Sequence, residues 1–250
     1  MASHQQLLAF ILLTHTLTTL TWLIGGSVMG LSRRAARHWV GGSLTNGLAL
    51  VLLVLDKYQP SLASILIAAC LATWGAFCLR RGLQAFLRLP MRDGVQLTVL
   101  TLSTLWSLAV CLPLQWYSLG VLGAVLVSAT VLVLSARQSF PALYTEFDAL
   151  TAWLITAVHL LTVTMFVSIA MVLMGWGPQD WQVWISPDML RFWLVFLSVA
   201  VSIVGTCVLG YMVIMRLVRR LEYLSQHDAL TGLLNRRAIE TLMDNEVQRL

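Results

Sequence analysis

Charge is what this sequence has least of. Only 11% of its 250 residues are charged, less than half the share of roughly one quarter that soluble globular chains carry. Lysine is nearly missing, Lys57 being the single one. Residues 6–31, 94–136 and 149–179 hold no charged side chain at all. Several such stretches in a row exclude an ordinary soluble core, because about twenty uncharged, mostly apolar residues match the hydrocarbon thickness of a bilayer. Cysteine is sparse too. Cys70, Cys78, Cys111 and Cys207 each fall inside an apolar stretch, and no C-x-x-C pair is present. That excludes a disulfide framework and a zinc site, and leaves small packing residues. A cleavable leader is not expected either, since MASHQQ lacks a basic residue and the apolar run after it is too long.

What the chain does have is apolar length. Hydrophobic residues make up 58% of it, with a mean hydropathy of +0.81. Breaks at charges, prolines and polar clusters divide the sequence into about seven spans, near 6–31, 38–55, 61–80, 95–114, 117–136, 149–174 and 191–215. Only helices and closed barrels satisfy their backbone hydrogen bonds in lipid, and these spans are too long and continuous to be alternating barrel strands. The expected fold is an all-α membrane bundle of about seven transmembrane helices over 1–215, a helical linker over 216–226, and the beginning of a further domain over 227–250.

The connections alternate in charge. Arg33, Arg34 and Arg37 follow the first span; Arg80, Arg81, Arg88 and Arg92 follow the third; Arg137 follows the fifth; Arg216, Arg219 and Arg220 follow the seventh. Positively charged loops stay cytoplasmic, so the N-terminus is expected outside, in the periplasm or beyond, and the tail inside, which requires an odd number of spans. The net charge of +5 and pI near 9.4 are explained by this topogenic placement, and nucleic acid is not an expected partner. Trp116, Tyr117, Trp176, Trp181 and Trp184 fall on the opposite side, where aromatic rings anchor at headgroup level or lid a pocket among the helix ends. With Lys57 between spans, no amine is placed to form a retinal Schiff base.

A few polar residues interrupt the spans. His15, in THTLTTLT, and His159, in the sixth span, are candidates for an intramembrane ligand or metal, haem included. Otherwise they bond to neighbouring helices. Asn46 offers a weaker hint of the same kind, and Arg137, Glu146 and Asp148 are expected at the interface. No internal repeat points to an inverted-repeat transporter, and charges are too scarce within spans for an ion path. A seven-helix transporter and a non-catalytic membrane interaction protein remain the alternatives to what the tail suggests.

The tail changes character, with charges dense and apolar residues spaced. Ile214, Leu217, Leu221 and Leu224 recur at the three- and four-residue steps of a coiled-coil seam, so RLVRRLEYLSQ is expected to leave the membrane as a helix able to pair with a second copy. HDALTGLLNRRAIETLMD follows. Asp228 and Thr231-Gly232 suggest a turn, and Asn235 a cap for a helix starting at Arg236. Ile239, Leu242, Val247 and Leu250 are expected on its inner face, and Asp228 is expected to pair with Arg236 or Arg237.

Asp228, Leu230, Thr231, Gly232, Leu233, Asn235, Arg236 and Arg237 match every fixed position of D-x-L-T-G-L-x-N-R-R, and so this segment resembles the opening of the GGDEF family, the diguanylate cyclases. The resemblance covers about residues 225–250. It implies an α/β domain with a central sheet, of which this chain holds a truncated start. It also implies a homodimer formed through linker and domain, and condensation of two GTP into cyclic di-GMP with magnesium or manganese at carboxylates. A membrane bundle sensing an unknown ligand and sitting in the bacterial inner membrane is a common partner for such a domain. The motif's own role is structural, joining linker to fold. The family's metal-binding Asp, guanine-binding residues and Gly-Gly-Asp/Glu-Glu-Phe hairpin have no counterpart up to Leu250, so no catalytic residue is assigned. The chain is expected to be a piece or shortened form of a longer cyclase and, alone, inactive.

Overall fold

The computed structural model describes residues 2–28, 32–55, 62–91, 93–173, 187–227, 231, 233–236, 238–240 and 243. The helices are α1 (Ala2–Val28), α2 (Arg33–Leu55), α3 (Leu62–Phe86), α4 (Gly94–Trp106), α5 (Tyr117–Glu146), α6 (Ala149–Leu173) and α7 (Pro187–Gln226). Seven helices among the described residues are long and apolar enough to cross a membrane, counting α4 together with its last turn. No strand occurs among the described residues. The chain divides into two compact units, Met1–Thr206 and Cys207–Leu250.

The expected spans are present, but two of their ends lie further on. α3 continues past Arg80 to Phe86, and α5 runs through Pro141 to Glu146. The stop of α3 is built at its true end. The Leu89 N–H donates to the Gln84 carbonyl at 2.9 Å, Arg88 takes a left-handed φ of 56°, and Pro90 follows, the arrangement of a helix-ending Schellman turn. α4 ends differently. Pro113 has no N–H and crowds the carbonyl one turn back; the preceding turn, Ser107–Cys111, is a π-helix, with the Leu112 N–H reaching the Ser107 carbonyl at 2.9 Å. At the start of α6 the Asp148 carboxylate caps the Thr151 N–H at 2.6 Å.

Within the first unit α2 packs on α1 and α3, α5 on α3, α4 and α6. Ile11, Leu50, Val54, Val195 and Val199 form one apolar cluster; Leu66, Cys111, Val121 and Val125 a second; Ala76, Phe77, Leu100, Val131 and Leu132 a third. The outer faces are equally apolar: Leu12, Leu13, Leu17, Leu23 and Ile24 of α1, Leu102 and Leu105 of α4, and Trp153 of α6 are all exposed. In water such faces would mark an interface or an aggregation hazard; in lipid they are the natural covering. Hydroxyls are satisfied within their own helices, as where Thr98, Thr156, Thr162 and Thr164 donate to carbonyls four residues back. A few link helices instead. Thr73 of α3 donates to the Ala124 carbonyl of α5 at 3.2 Å and accepts from Ser128 at 2.9 Å, and Trp74 donates to Thr104 of α4 at 3.1 Å.

Candidate functional site

His15 and His159 are both buried, and each is engaged with its own neighbour. The His159 Nδ1 lies 2.7 Å from the Ile155 carbonyl and its Nε2 3.0 Å from the Ser135 hydroxyl of α5. A carbonyl only accepts, so Nδ1 carries the proton and Nε2 of the neutral ring accepts from Ser135. Both nitrogens are occupied. His15 of α1 is less complete. Ser43 of α2 donates to the His15 carbonyl at 3.1 Å and accepts from Thr19 at 3.2 Å. The His15 Nδ1 lies 3.4 Å from the same hydroxyl, and Nε2 has no hydrogen-bond partner. Gly47 makes room for this ring, since a Cβ there would sit 3.0 Å from the His15 Cβ and Cγ. Among the described residues no hydrogen bond joins the two imidazoles, and no three His, Cys, Asp or Glu side chains gather into a metal-sized cluster. Asn46 packs its amide over Gly75 between α2 and α3.

The densest polar assembly is one the sequence reading placed in a loop. Arg80 and Arg81 sit on α3, and Arg80 is 1% exposed. Asp93, immediately before α4, is 2% exposed and faces both. Its Oδ1 lies 3.3 Å from Arg80 Nη1, and its Oδ2 lies 2.7 Å from Arg81 Nε. Arg80 Nη2 donates to Gln138 of α5 at 2.7 Å, and Gln84 Nε2 lies 3.4 Å from both Asp93 Oδ1 and Gln138 Oε1. Arg81 reaches the Met91 sulfur at 3.3 Å, and its guanidinium carbon lies 5.5 Å from the Phe77 ring centroid. Asp93 occupies the position from which an aspartate ordinarily caps a helix, yet makes no side-chain cap bond to α4. Its carboxylate is turned to the guanidiniums instead, close to the positive end of the α4 dipole. Spacing in the sequence carried one clue, an acid among basic residues between two apolar runs, but nothing there showed the chain folding back to bury it.

Beside this cluster Arg34 of α2, Arg81, Gln84 and Ala85 of α3, and Arg88, Leu89 and Met91 of the connection line an open recess of about 520 Å³. His38 lies close enough to feel Arg34, Arg81 and Asp93 electrostatically. An aromatic row crosses the helices, Trp22 to Trp39 at 4.5 Å, Trp39 to Phe86 at 5.6 Å and Phe86 to Phe147 at 6.2 Å between centroids. Trp39 lies flat against Gly82, where any side chain would collide with its indole.

In the second unit the seam residues Ile214 and Leu224 are exposed, Leu221 is 66% exposed, and Leu217 is half-buried. Asp228, Leu230, Gly232 and Arg237 of the motif lie outside the described residues, as do Lys57, Arg92, Trp176, Trp181, Trp184, Leu242, Val247 and Leu250. Thr231 and Leu233 are exposed, and the Leu233 N–H lies 3.4 Å from the Thr231 hydroxyl. Leu234 bridges to His227. Asn235 is a cap, as expected: its Oδ1 accepts the Ala238 N–H at 2.9 Å. It also does something unforeseen, donating from Nδ2 to the Ser225 carbonyl at 2.7 Å, while its own N–H reaches the Gln226 carbonyl at 2.8 Å. Arg236 pairs with Glu240 at 2.7 Å along the same helical turn. Ile239, expected on an inner face, is 45% exposed.

The apolar spans define the class: this is a multi-pass membrane protein. No family model, curated protein or solved structure matches the chain.

Proposed function

We propose that the chain is the membrane input region and linker of a GGDEF-family signalling protein, whose complete form condenses two GTP into cyclic di-GMP. The observation that carries the reading is the motif Asp228-Ala229-Leu230-Thr231-Gly232-Leu233-Leu234-Asn235-Arg236-Arg237 directly after α7. What supports it is the way Asn235 ties the last turn of α7, through Ser225, to the helical turn starting at Arg236. A residue with both bonds suits a junction between linker and fold. The arginine clusters favour an orientation with this tail in the bacterial cytoplasm and the N-terminus outside the inner membrane.

In this mechanism a ligand or lipid change at the bundle favours one of two helix packings. The seam Ile214–Leu217–Leu221–Leu224 of two copies carries that difference to a pair of GTP-loaded domains, which must face one another for condensation. Magnesium or manganese would polarise the phosphoryl group there, held by residues beyond this sequence. The exposed seam suits such pairing. Leu221→Asp would place a charge in it.

The test joins residues 1–237 in frame to the remainder of a catalytically competent GGDEF domain and measures cyclic di-GMP formed from GTP in membranes, alongside crosslinked dimer. Robust product, with both product and dimer lost in Leu221→Asp, is the expected result. An inactive chimera, or unchanged dimer and activity in Leu221→Asp, would remove the proposal.

A further inference from the structure

We propose that the recess lined by Arg34, Arg81, Gln84 and Arg88 binds a phosphate anion that also carries a hydroxyl, the chemistry offered by an anionic glycerophospholipid headgroup and by inorganic phosphate. The site lies wholly in the first unit, and it stands or falls independently of any cyclase assignment.

Four observations converge on it. Charge comes first. Arg34, Arg81 and Arg88 line the recess, while the neighbouring carboxylate, Asp93, is already shared by Arg80 and Arg81. Among the described residues no carboxylate pairs with Arg34 or Arg88. A guanidinium presents parallel N–H donors that match two phosphate oxygens, and such charge-assisted bonds are among the strongest a protein makes.

Second, Arg81 is positioned by charge. Its Nε lies 2.7 Å from Asp93 Oδ2 as an ion contact without a hydrogen bond, and its guanidinium lies near the Phe77 ring.

Third, Gln84 brings an unmet requirement to the recess. It is 3% exposed and its Nε2 is directed at Asp93 and Gln138, while its Oε1 is buried with no hydrogen-bond partner. A buried acceptor without a donor is a net cost to the fold. A bare anion does not meet that need; an O–H donor beside the phosphate is the chemistry that would. Turning the amide around would set its oxygen against the Asp93 carboxylate, so the assignment of Nε2 to Asp93 is fixed by charge.

Fourth, the backbone at Arg88 has φ of 56°, the position where a helix-ending turn ordinarily takes glycine. A side chain there is strained, and here that side chain is a cation on the rim of the recess.

Volume and place agree. The recess is open, with about 520 Å³ of space. The lining residues come from the start of α2, the end of α3 and the connection to α4, at one end of the apolar spans. Basic pockets between transmembrane helices are suited to anionic lipid headgroups. The ammonium of a zwitterionic lipid would meet the same arginines with like charge.

The experiment uses the whole chain purified in a zwitterionic detergent. Binding of short-chain phosphatidylglycerol, short-chain phosphatidylcholine and inorganic phosphate is titrated by the shift in thermal unfolding. The variants are Arg34→Gln/Arg88→Gln and, as a control outside the recess, Arg137→Gln. Both sets are exposed arginines, so folding is retained. Phosphatidylglycerol is expected to bind and phosphatidylcholine not to. The double variant is expected to lose affinity by about tenfold or more, the loss from one charge-assisted bond or more, while Arg137→Gln leaves it unchanged. If inorganic phosphate binds as tightly as phosphatidylglycerol, with the same dependence on Arg34 and Arg88, the anion comes from solution and the site stands. Equal binding of phosphatidylglycerol and phosphatidylcholine, or equal loss in Arg137→Gln, would overturn it.

Discussion

Two buried polar regions of this bundle solve the same problem in opposite ways. Around His159 and His15 the groups are neutral, the partners few, and the bonds short-range: an imidazole, a serine and a carbonyl on adjoining helices. Around Asp93 the groups are charged and come from three successive pieces of chain, α3, the start of α4 and α5. The first kind of contact holds helices together and asks for nothing further, apart from the His15 Nε2. The second leaves the Gln84 Oε1 without a donor and sets arginines along a recess. Neutral pairs act as glue, whereas a carboxylate shared by two guanidiniums fixes how α3, α4 and α5 meet at one end.

The sharpest way to break the comparison is Asp93→Asn. Removing one partner of a buried ion pair leaves an uncompensated charge, and the general cost is about 3–5 kcal/mol; here two guanidiniums lose their counter-ion. Equilibrium unfolding of the purified chain in mixed micelles should show the largest loss of any single substitution tested. Gly47→Val comes next. The added methyls press on His15 and its contact with Ser43, and overpacking of a tight site costs about 1–3 kcal/mol. Last is His159→Leu, which deletes one interhelical bond, to Ser135, and one within α6, to the Ile155 carbonyl. Interhelical bonds of this kind in membranes average about 0.6 kcal/mol and reach about 1.7 kcal/mol, so the same unfolding assay should register a modest loss. A result in which His159→Leu costs as much as Asp93→Asn would erase the distinction between the two regions.

How much of this was legible beforehand follows from the range over which each signal acts. The spans were visible because lipid demands continuous apolar length, a property of adjacent residues. Asn235 as a cap was visible for the same reason, its partner being Ala238. The ends of α3 and α5 were not, since a charged residue reads as a break even when the helix carries it inward, as α3 carries Arg80. The Arg80–Asp93–Gln138 contact depends on α3, α4 and α5 meeting, and no local pattern encodes that meeting. Trp39 over Gly82 is similar: each residue is unremarked alone, and only the crossing of α2 and α3 pairs them. Ile239 was expected to be covered, and periodicity says which face is apolar without saying what lies against it.

Asn235 has a mechanical consequence. Its side-chain amide holds the Ser225 carbonyl on one side and the Ala238 amide on the other, so one side chain couples the end of α7 to the helical turn that follows the motif.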